Sequence, residues 1–329
     1  MKISIYVRGR MFTFEIARAL HENDKLKFLI TGYPKFIVNK YNVPKNKTKS
    51  IIFLEIFYRI MKKINKFSKI IKLDFYPVVI IDWLSDLIFS LFYIYKTEFI
   101  LLGFGSSGCK TLVKSKKKNI KSIYFVVNAA PSFRKSVLEN EYKKLGVAEY
   151  YNAEPDSLTK KINQSIKLAD YVGCISNFQK QTYLDEGINE NKMFTSYLGV
   201  DTSVFFPQNL KKEKFIVIAV GNDFVRKGFK YLIEAFNSLK LPNSELWLVG
   251  EIDKTLISKT NKLEKNNILF GSVNAFELPK LYNQATISCL PTLEDGAATV
   301  LLEAMACGLP VISSKFCIGP DIIKNEING

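Results

Sequence analysis

The strongest constraint on the fold is a repeated alternation of short apolar segments with helical segments. Near-continuous apolar runs are typical of strands buried on both faces of a parallel sheet, with helices covering those faces. The predicted strands are Lys2–Val7, Leu26–Thr31, Phe99–Leu102, Ile123–Val127 and Tyr171–Ile175, then Phe215–Val220, Glu245–Val249, Ile268–Phe270, Thr286–Leu290 and Pro310–Ser313. The alternation predicts an α/β protein with two Rossmann-like domains facing across a cleft.

A proline-containing segment with a polar continuation separates the two series of strands. It comprises Asp201–Pro207 and the run Gln208–Lys212, and such an interruption of periodicity is typical of an interdomain linker. We therefore predict domains at 1–206 and 207–329, which suits 329 residues. The chain ends on the turn dipeptide Asn328-Gly329 without a closing helix or strand, so we expect the second domain to be incomplete.

The positive charge is concentrated in the first predicted domain. Of 47 Lys+Arg and 31 Asp+Glu, residues 1–206 hold 33 and 18, leaving 14 and 13 for residues 207–329. The first domain thus carries 33 − 18 = +15 of the net +16. This one-sided charge indicates either an anionic partner, such as a membrane surface, nucleic acid or a phosphorylated substrate, or only solubilising lysines.

The cysteines and the histidine exclude several classes of protein. Five scattered cysteines form no CxxC pair, which argues against structural zinc, thioredoxin-type chemistry and a disulfide framework, and favours a reducing cytosol. The only histidine, His21, lies beside Glu22 on a predicted surface helix. We predict no metal and no cofactor.

Two segments of the first domain bear on membrane contact. Pro77–Tyr95 is apolar except for a helical stripe of Asp82, Ser85, Asp86 and Ser90. Two aspartates at mid-depth cost about 2.5–3.5 kcal/mol each in a bilayer, so we predict a buried helix with its stripe on water. Tyr58–Lys66 sets lysines within an apolar helical stretch, which is typical either of an interfacial helix on anionic lipid or of internal packing.

Two glycine-containing turns follow strands of the first domain. Gly103–Gly108 matches GxGxxG, but it lies mid-domain, and the next strand ends at Asn128 rather than at a ribose-binding acid. We therefore disfavour NAD(P) binding and predict a tight turn lining the cleft. Gly9 follows the first strand and is either a plain turn or a point where backbone approaches a ligand.

The segment Pro291–Ile312 carries the strongest functional signal. A predicted strand ends at Leu290, a loop of small residues follows, and a helix starts near Thr299. The backbone N–H groups of Ala297, Ala298, Thr299 and Val300 would then point into the cleft, where helix starts hold phosphate or sugar oxygens. Asp295 and Glu303 are eight residues apart. Two carboxylates at this spacing can bind two sets of hydroxyl groups on one ligand. Alternatively, they are two surface acids bordering a buried helix.

This segment resembles the signature of retaining glycosyltransferase family four, usually Glu-Gly-Phe-Gly-x-x-x-x-Glu-Ala-Met-Ala-x-Gly-x-Pro-Val. Other segments resemble that family in the same order along the chain. They are the interdomain link at 177–180 and 197–207, the diphosphate-binding loop at 220–228 and the nucleobase-binding turn at 268–273. The resemblance implies the GT-B fold, with a nucleotide-sugar donor in the second domain and an acceptor in the first.

The resemblance also implies roles for particular residues. Glu303 would bind the ribose, Asp295 the donor sugar, and Lys227 with Arg226 the diphosphate. The remaining implied donor-binding positions are Gly9, Gly221, Val273, Gly296, Ala297, Ala298, Thr299 and Val300. Fixed cations and helix N–H groups stabilise a departing nucleoside diphosphate, so no divalent metal is required.

Three positions depart from the family pattern. Asp295 stands where the family has Glu, Asn222 stands where it often has Arg, and no His occurs near 127–131. A retaining front-face reaction can use the leaving phosphate as its base, so the missing His does not exclude catalysis.

We therefore predict a metal-independent retaining glycosyltransferase that takes a UDP- or GDP-sugar in polysaccharide biosynthesis. The expected acceptor is a lipid-linked or cell-surface glycan, and the expected location is the cytoplasm, peripheral to the membrane. The alternatives are a nucleotide-sugar epimerase of the same fold and a non-catalytic basic protein that binds membrane or nucleic acid. The absence of an RNA-binding motif disfavours nucleic acid.

Overall fold

The computed structural model describes residues 1–10, 12–68, 77–94, 97–103, 108–274 and 276–329, without the side chains of 62–68 and 77–78. By its contacts the chain divides into two compact units, neither continuous in sequence. The first unit comprises 1–127, 154–173 and 188–194, and the second comprises 128–153, 174–187 and 195–329. These units divide the chain at other positions than the predicted boundary at 206/207, although that boundary does separate the two sheets.

The first sheet has seven strands, and its described pairings are parallel. The strands are β1 (Ile3–Val7), β2 (Leu26–Thr31), β3 (Thr48–Ser50), β4 (Phe99–Gly103), β5 (Lys121–Phe125), β6 (Tyr171–Cys174) and β7 (Met193–Thr195), in the order β3-β2-β1-β4-β5-β6-β7. The outermost strands β3 and β7 were not predicted. Each has three residues, too few to show an apolar pattern.

Among the described residues, eight α-helices belong to the sequence that carries this sheet. They are α1 (Thr13–Glu22), α2 (Lys35–Asn39), α3 (Ile52–Ser68), α4 (Pro77–Phe92), α5 (Cys109–Lys117), α6 (Pro131–Lys144), α7 (Asp156–Leu168) and α8 (Asn177–Asp185). Of these, α6 and α8 lie in the second unit. Leu145 and Val147, just after α6, pack against the core of that unit.

The second sheet has five parallel strands. They are β8 (Phe215–Val220), β9 (Ser244–Val249), β10 (Asn267–Gly271), β11 (Ile287–Leu290) and β12 (Val311–Ser313), in the order β10-β9-β8-β11-β12. Its helices are α9 (Phe229–Leu239), α10 (Lys254–Thr260), α11 (Leu278–Gln284), α12 (Thr299–Ala306) and α13 (Gly319–Ile322). The predicted α/β class is thus present in both sheets.

Helix α4 is oriented opposite to the prediction. Its polar stripe is buried, with Asp82, Ser85, Asp86 and Ser90 each at most 5% exposed, whereas Phe92 is 69% exposed. The prediction of a stripe on water was wrong because the stripe has partners inside the first unit. The Asp86 carboxylate accepts hydrogen bonds from the first backbone N–H groups of α5, and both serine hydroxyls donate to carbonyls of α4. Among the described residues, no helix combines the length and apolar character needed to cross a bilayer.

The glycine-rich turn after β4 is described only at its ends. Gly103 has φ +106°, and a Cβ there would lie 2.3 Å from the carbonyl oxygen of Phe125. Glycine at 103 is therefore explained by strand packing, in line with a structural turn. Residues 104–107 lie outside the described residues.

Candidate donor site

Lys227 lies in the loop between β8 and α9, at the carboxyl edge of the second sheet. Its aliphatic stem passes over Gly221, where a Cβ would lie 3.0 Å from Cε and 3.1 Å from Cγ of the lysine. The absence of a side chain at Gly221 therefore leaves room for the Lys227 side chain. Lys227 is only 7% exposed, and its Nζ forms an ion pair with the Asp295 carboxylate.

Asp295 lies in the loop between β11 and α12, where its carboxylate has two kinds of partner. One oxygen, Oδ2, pairs with Lys227. The other, Oδ1, accepts hydrogen bonds from the backbone N–H groups of Ala297 at 3.2 Å and Ala298 at 3.0 Å. The Asp295 backbone N–H donates to the carbonyl of Phe316 at 2.9 Å, which fixes the loop. Two of the N–H groups predicted to face a ligand are thus bonded to Asp295.

The charges around Asp295 keep it ionised. Burial by itself raises the pKa of this carboxyl group, but the charges of Lys227 and Arg226 and the hydrogen bond from Ala298 outweigh burial. The pKa of Asp295 therefore lies below its ordinary value. The site holds a carboxylate with a lysine bound to it.

Arg226 connects the loop after β8 to the loop after β11. Its Nη1 donates to the backbone carbonyl of Glu294 at 3.1 Å, and its Nε lies 3.4 Å from Oδ2 of Asp223.

Glu294 is fully buried and accepts a hydrogen bond from the Ala129 N–H at 2.8 Å. Its other oxygen lies 3.5 Å from Nε of Arg134 and 3.8 Å from Nη1 of Arg226. Burial raises the pKa of Glu294 above its ordinary value, despite these cations and the Ala129 N–H.

Glu303 lies on α12, eight residues after Asp295. The hydroxyl of Tyr282, a fully buried residue on α11, lies 3.3 Å from Oε2 of Glu303 and 3.1 Å from the carbonyl oxygen of Val300, and donates to both. Burial raises the pKa of Glu303 above its ordinary value, and the hydrogen bond from Tyr282 lowers it less. One hydroxyl donor is shared between two acceptors, so the carboxylate has capacity for further donors.

The carboxyl edge of the second sheet continues from β8 to β9 and β10. The N–H of Gly221 donates to the carbonyl of Val249, and the N–H of Gly250 donates to that of Gly271, each at 2.9 Å. Val273 follows β10 on the same edge. At about 4.8 Å per strand, the end of β10 lies about 10 Å from the end of β8.

The structure brings together most of the predicted donor-binding residues. Lys227, Arg226 and Asp295 are in contact or share partners, Gly296–Val300 leads from Asp295 into α12, and Glu303 lies on that helix. Gly9 lies in the first unit, in the turn after β1, where a Cβ would meet nothing within 4 Å. Its role in donor binding stays a prediction, as do the roles of the other residues.

Sequence reasoning missed Glu294, Arg134 and Tyr282. Glu294 is adjacent to a predicted site residue, but only the folded chain shows that it is buried between two arginines. Arg134 and Tyr282 are far from the motif in sequence, and no spacing rule relates them to it. Within the described residues, no group of three or more His, Cys, Asp or Glu side chains is arranged to hold a metal ion. Metal independence stays a prediction.

Comparison with protein families identifies the region that carries this geometry. The model of glycosyl transferases group 1 matches residues 201–329. We call residues 201–329 the group 1 region. The resemblance inferred from the motif at 291–312 is confirmed for this part of the chain, and Lys227, Asp295 and Glu303 all lie within the group 1 region.

Two relatives that match a longer stretch of the chain are glycosyltransferases by name. The chain is 32% identical over 200 residues to an uncharacterised glycosyltransferase of Methanocaldococcus jannaschii, covering 58% of this chain and 50% of that protein. It is 28% identical over 178 residues to the UDP-Gal:alpha-D-GlcNAc-diphosphoundecaprenol alpha-1,3-galactosyltransferase of Escherichia coli, covering 47% of this chain and 45% of that enzyme. The chain thus spans about half the length of these two relatives.

A solved structure resembles the whole chain. The crystal structure of Anabaena HepE in complex with UDP-glucose matches with a TM-score of 0.61 and 14% identity, covering 100% of this chain and 84% of that one. At this identity the likeness shows the fold alone. It confirms the GT-B fold predicted from the sequence.

Proposed function

We propose that this chain is a retaining glycosyltransferase that moves a sugar from a nucleotide-sugar donor to a glycan acceptor. The observation that carries this proposal is the pairing of Lys227 with a carboxylate bonded to the start of α12, inside a group 1 region. A buried lysine beside helix N–H groups is a site for phosphate oxygens. The donor's diphosphate is the anion that such a site would hold.

The proposed chemistry follows from the charges of these residues. As the bond between the sugar C1 and the diphosphate oxygen breaks, negative charge collects on the leaving group. Once Lys227 and the N–H groups at the start of α12 are bonded to the diphosphate instead of to Asp295, they stabilise that charge and lower the barrier. The acceptor oxygen forms the new bond on the same face of C1, and its proton passes to the departing phosphate. No side-chain base and no metal is required by this route.

Glu303 is proposed to bind the ribose of the donor. Its carboxylate is partly buried and accepts a hydrogen bond from Tyr282 that is shared with a carbonyl, so two ribose hydroxyls would supply the further donors. Val273, at the end of β10, is proposed to hold the nucleobase through its backbone.

The binding of a nucleotide is tested by calorimetric titration with UDP, GDP, ADP and their sugar conjugates. We expect one nucleotide family to bind the wild-type chain. Glu303→Gln should weaken that binding about tenfold, because a hydrogen-bonded charge contributes about 1.5–3 kcal/mol. The matched control is Glu234→Gln, which alters an exposed acid on α9 that pairs with Lys230. Failure of all three families to bind a folded chain would contradict the proposal.

Product analysis separates sugar transfer from the alternative of epimerisation. Incubation of the bound sugar nucleotide with and without glycan acceptors should give the free nucleoside diphosphate and a glycosylated acceptor. An isomerised sugar nucleotide formed without acceptor would favour the epimerase. The Escherichia coli relative named above acts, by its name, on a diphosphoundecaprenol-linked sugar. A lipid-linked acceptor is therefore the first class to try.

We further propose that the first unit contacts an anionic membrane surface through helices α3 and α4. On α3 the side chains of Ile52, Phe53, Ile56 and Ile60 are exposed, and Arg59 on the same helix is 65% exposed. On α4, Trp83 is also exposed, and Lys110 Nζ lies 4.4 Å from its ring centroid. Apolar side chains next to cations are typical of interfacial helices. Within the predicted segment Tyr58–Lys66, the side chains of 62–66 lie outside the described residues.

Vesicle sedimentation tests this membrane contact. We expect binding to vesicles with about 30–40% phosphatidylglycerol, because their negative surface potential attracts basic segments, and weak binding to neutral vesicles. Replacing Phe53 and Ile56 together by Ser should reduce binding. The control replaces Ile312, an exposed apolar residue on β12, by Ser. Equal binding to neutral and anionic vesicles would contradict the electrostatic part of the proposal.

A further inference from the structure

The partners of the Asp295 carboxylate are those that a phosphate would take. One oxygen pairs with a lysine that is 7% exposed, and the other accepts two backbone hydrogen bonds at the start of α12. Lysine and helix N–H groups are general partners of phosphate oxygens as well as of carboxylates. The side chain thus provides the anion for these donors in the structure described above.

Any diphosphate that reaches Lys227 must compete with this carboxylate. Both groups are negative, and two like charges that share one partly buried lysine repel each other. Arg226 does not relieve the competition by itself, because its guanidinium is already bonded to the Glu294 carbonyl and near Asp223. Binding at Lys227 therefore requires Asp295 to exchange its partner.

We propose that Asp295 is a specificity-determining residue that favours nucleotide-sugars over free nucleoside diphosphates by competing for Lys227. The inference rests on the proposed function, because it takes Lys227 as the diphosphate site. A sugar conjugate brings hydroxyl groups that can donate to the displaced carboxylate. A free nucleoside diphosphate lacks the hydroxyl groups of that sugar, and its ribose hydroxyls are the proposed partners of Glu303.

The charge of the ligand also favours the nucleotide-sugar over the free nucleoside diphosphate. The terminal phosphate of a free nucleoside diphosphate carries about −1.5 to −2 at pH 7, like a phosphate monoester. The same phosphate esterified to a sugar has one acidic proton fewer to lose and carries about −1. Repulsion by Asp295 is therefore stronger for the free nucleoside diphosphate. Since that molecule is also the product of the transfer, the same residue promotes product release.

The test measures the affinities of three ligand pairs by calorimetric titration. The pairs are UDP with UDP-glucose, GDP with GDP-mannose, and ADP with ADP-glucose. The variants are Asp295→Asn, which keeps the shape but not the charge, and Asp295→Ser, which keeps a short oxygen acceptor for the N–H groups. The matched control is Glu245→Gln. Glu245 is likewise ion-paired to a lysine, Lys214, but it lies at the amino end of β9, the opposite edge of the sheet.

For the nucleotide that binds the wild-type chain, both Asp295 variants should bind the free diphosphate about tenfold more tightly, which corresponds to about 1.4 kcal/mol. Binding of the sugar conjugate should stay the same or weaken, so the preference for the conjugate falls by about tenfold or more. Glu245→Gln should leave that preference unchanged. Unchanged or equally weakened binding of both ligands to the folded variants overturns the inference while leaving the proposed function intact. Absence of binding of any pair to the wild-type chain contradicts the proposed function itself.

If Asp295→Asn does not fold, the Asp295→Ser variant is used in its place, and the variant Lys227→Met supplies an independent result. Lys227→Met removes the shared cation, so it should weaken both ligands and bring their affinities closer together. Retention of the full wild-type preference in Lys227→Met would overturn the inference, because the preference would then not arise at Lys227.

Discussion

Each unit of the molecule places a buried aspartate at the start of a helix, and the two aspartates differ in their surroundings. In the first unit, Asp86 accepts hydrogen bonds from the N–H groups of Lys110 at 2.8 Å and Thr111 at 2.9 Å. In the second, Asp295 accepts two longer backbone bonds and also pairs with Lys227. Asp86 thus has short backbone hydrogen bonds, whereas Asp295 has longer ones and an ion pair with a lysine.

The pKa values of the two aspartates reflect this difference. Burial raises the pKa of Asp86 above its ordinary value, and its hydrogen bonds and the charge of Lys110 only partly offset the effect. At Asp295 burial acts in the same direction, but Lys227 and Arg226 reverse it. A capping carboxylate without a lysine ion pair thus has a raised pKa, whereas one paired with a buried lysine has a lowered pKa, and we propose that only the second exchanges its partner.

The largest expected effect is on the stability of the first unit. Asp86→Ala should lower its free energy of unfolding by about 2–4 kcal/mol, because two buried N–H groups lose their acceptor and a cavity forms. The chain has two tryptophans, Trp83 in the first unit and Trp247 in the second, so Trp83 fluorescence in a Trp247→Phe background reports this unit alone. Asp24→Ala, at an exposed aspartate of the same unit, is the control. A loss no greater than the control's would show that Asp86 is not structural.

The next effect is the coupling between each aspartate and its nearest lysine. A double-mutant cycle of Lys227→Met with Asp295→Asn should give a coupling free energy of about 1–3 kcal/mol, because the pair is in direct contact and mostly buried. Trp247 fluorescence in a Trp83→Phe background measures it. The corresponding cycle of Lys110→Met with Asp86→Asn should give less than about 0.5 kcal/mol, since Lys110 Nζ lies over the Trp83 ring. Equal couplings in the two cycles would remove the distinction drawn here.

The pH dependence of stability should have opposite signs at the two aspartates. The pKa of Asp86 is raised on folding, so its contribution is fully present below the unfolded value of about 4 and is lost as the pH rises through the folded value. The pKa of Asp295 is lowered, so its contribution is present above about pH 4 and is lost as the pH falls through the folded value. We compare the unfolding free energy of the wild type with that of each Asn variant from about pH 3 to about pH 7. The difference should fall as the pH rises for Asp86 and increase as the pH rises for Asp295. The same sign for both would contradict the assigned charges.

The smallest expected effect concerns the backbone beside Asp295. Ala298 has φ +48°, a left-handed conformation that costs a non-glycine residue about 1–2 kcal/mol. Ala298→Gly should raise the free energy of unfolding of the second unit by about 0.5 kcal/mol, because the added freedom of the unfolded chain offsets part of the relief. Chemical denaturation followed by Trp247 measures this change. A clear loss of stability would mean that the Ala298 methyl group packs more favourably than its backbone is strained.

Much of the fold was accessible from the sequence, because parallel strands buried on both faces are readable as apolar runs. Every predicted strand is present, and the diphosphate loop and the start of α12 lie near each other as their adjacent strands require. The orientation of α4 was not accessible. Its stripe is stabilised by backbone N–H groups 24 and 25 residues later in the chain, and periodicity shows which residues share a face but not what that face meets.

The candidate site shows the same limit. The motif located Asp295, Glu303 and Lys227 as residue types at loop and helix positions, since these positions follow from local spacing. It did not indicate that the carboxylate and the lysine bind each other, nor that Glu294 is buried beside Arg134 from another segment. Such pairings depend on distances across the folded unit.

The discontinuous second unit determines how the half that carries the second sheet can be isolated. A fragment cut at residue 207 would lack the Ala129 amide that holds Glu294, the Leu145 and Val147 side chains that cover the hydrophobic core, and the Asn177 contacts to Asp321. Truncation at the apparent linker would yield an aggregation-prone polypeptide. Biochemical dissection of this chain should proceed by point substitution within the intact protein.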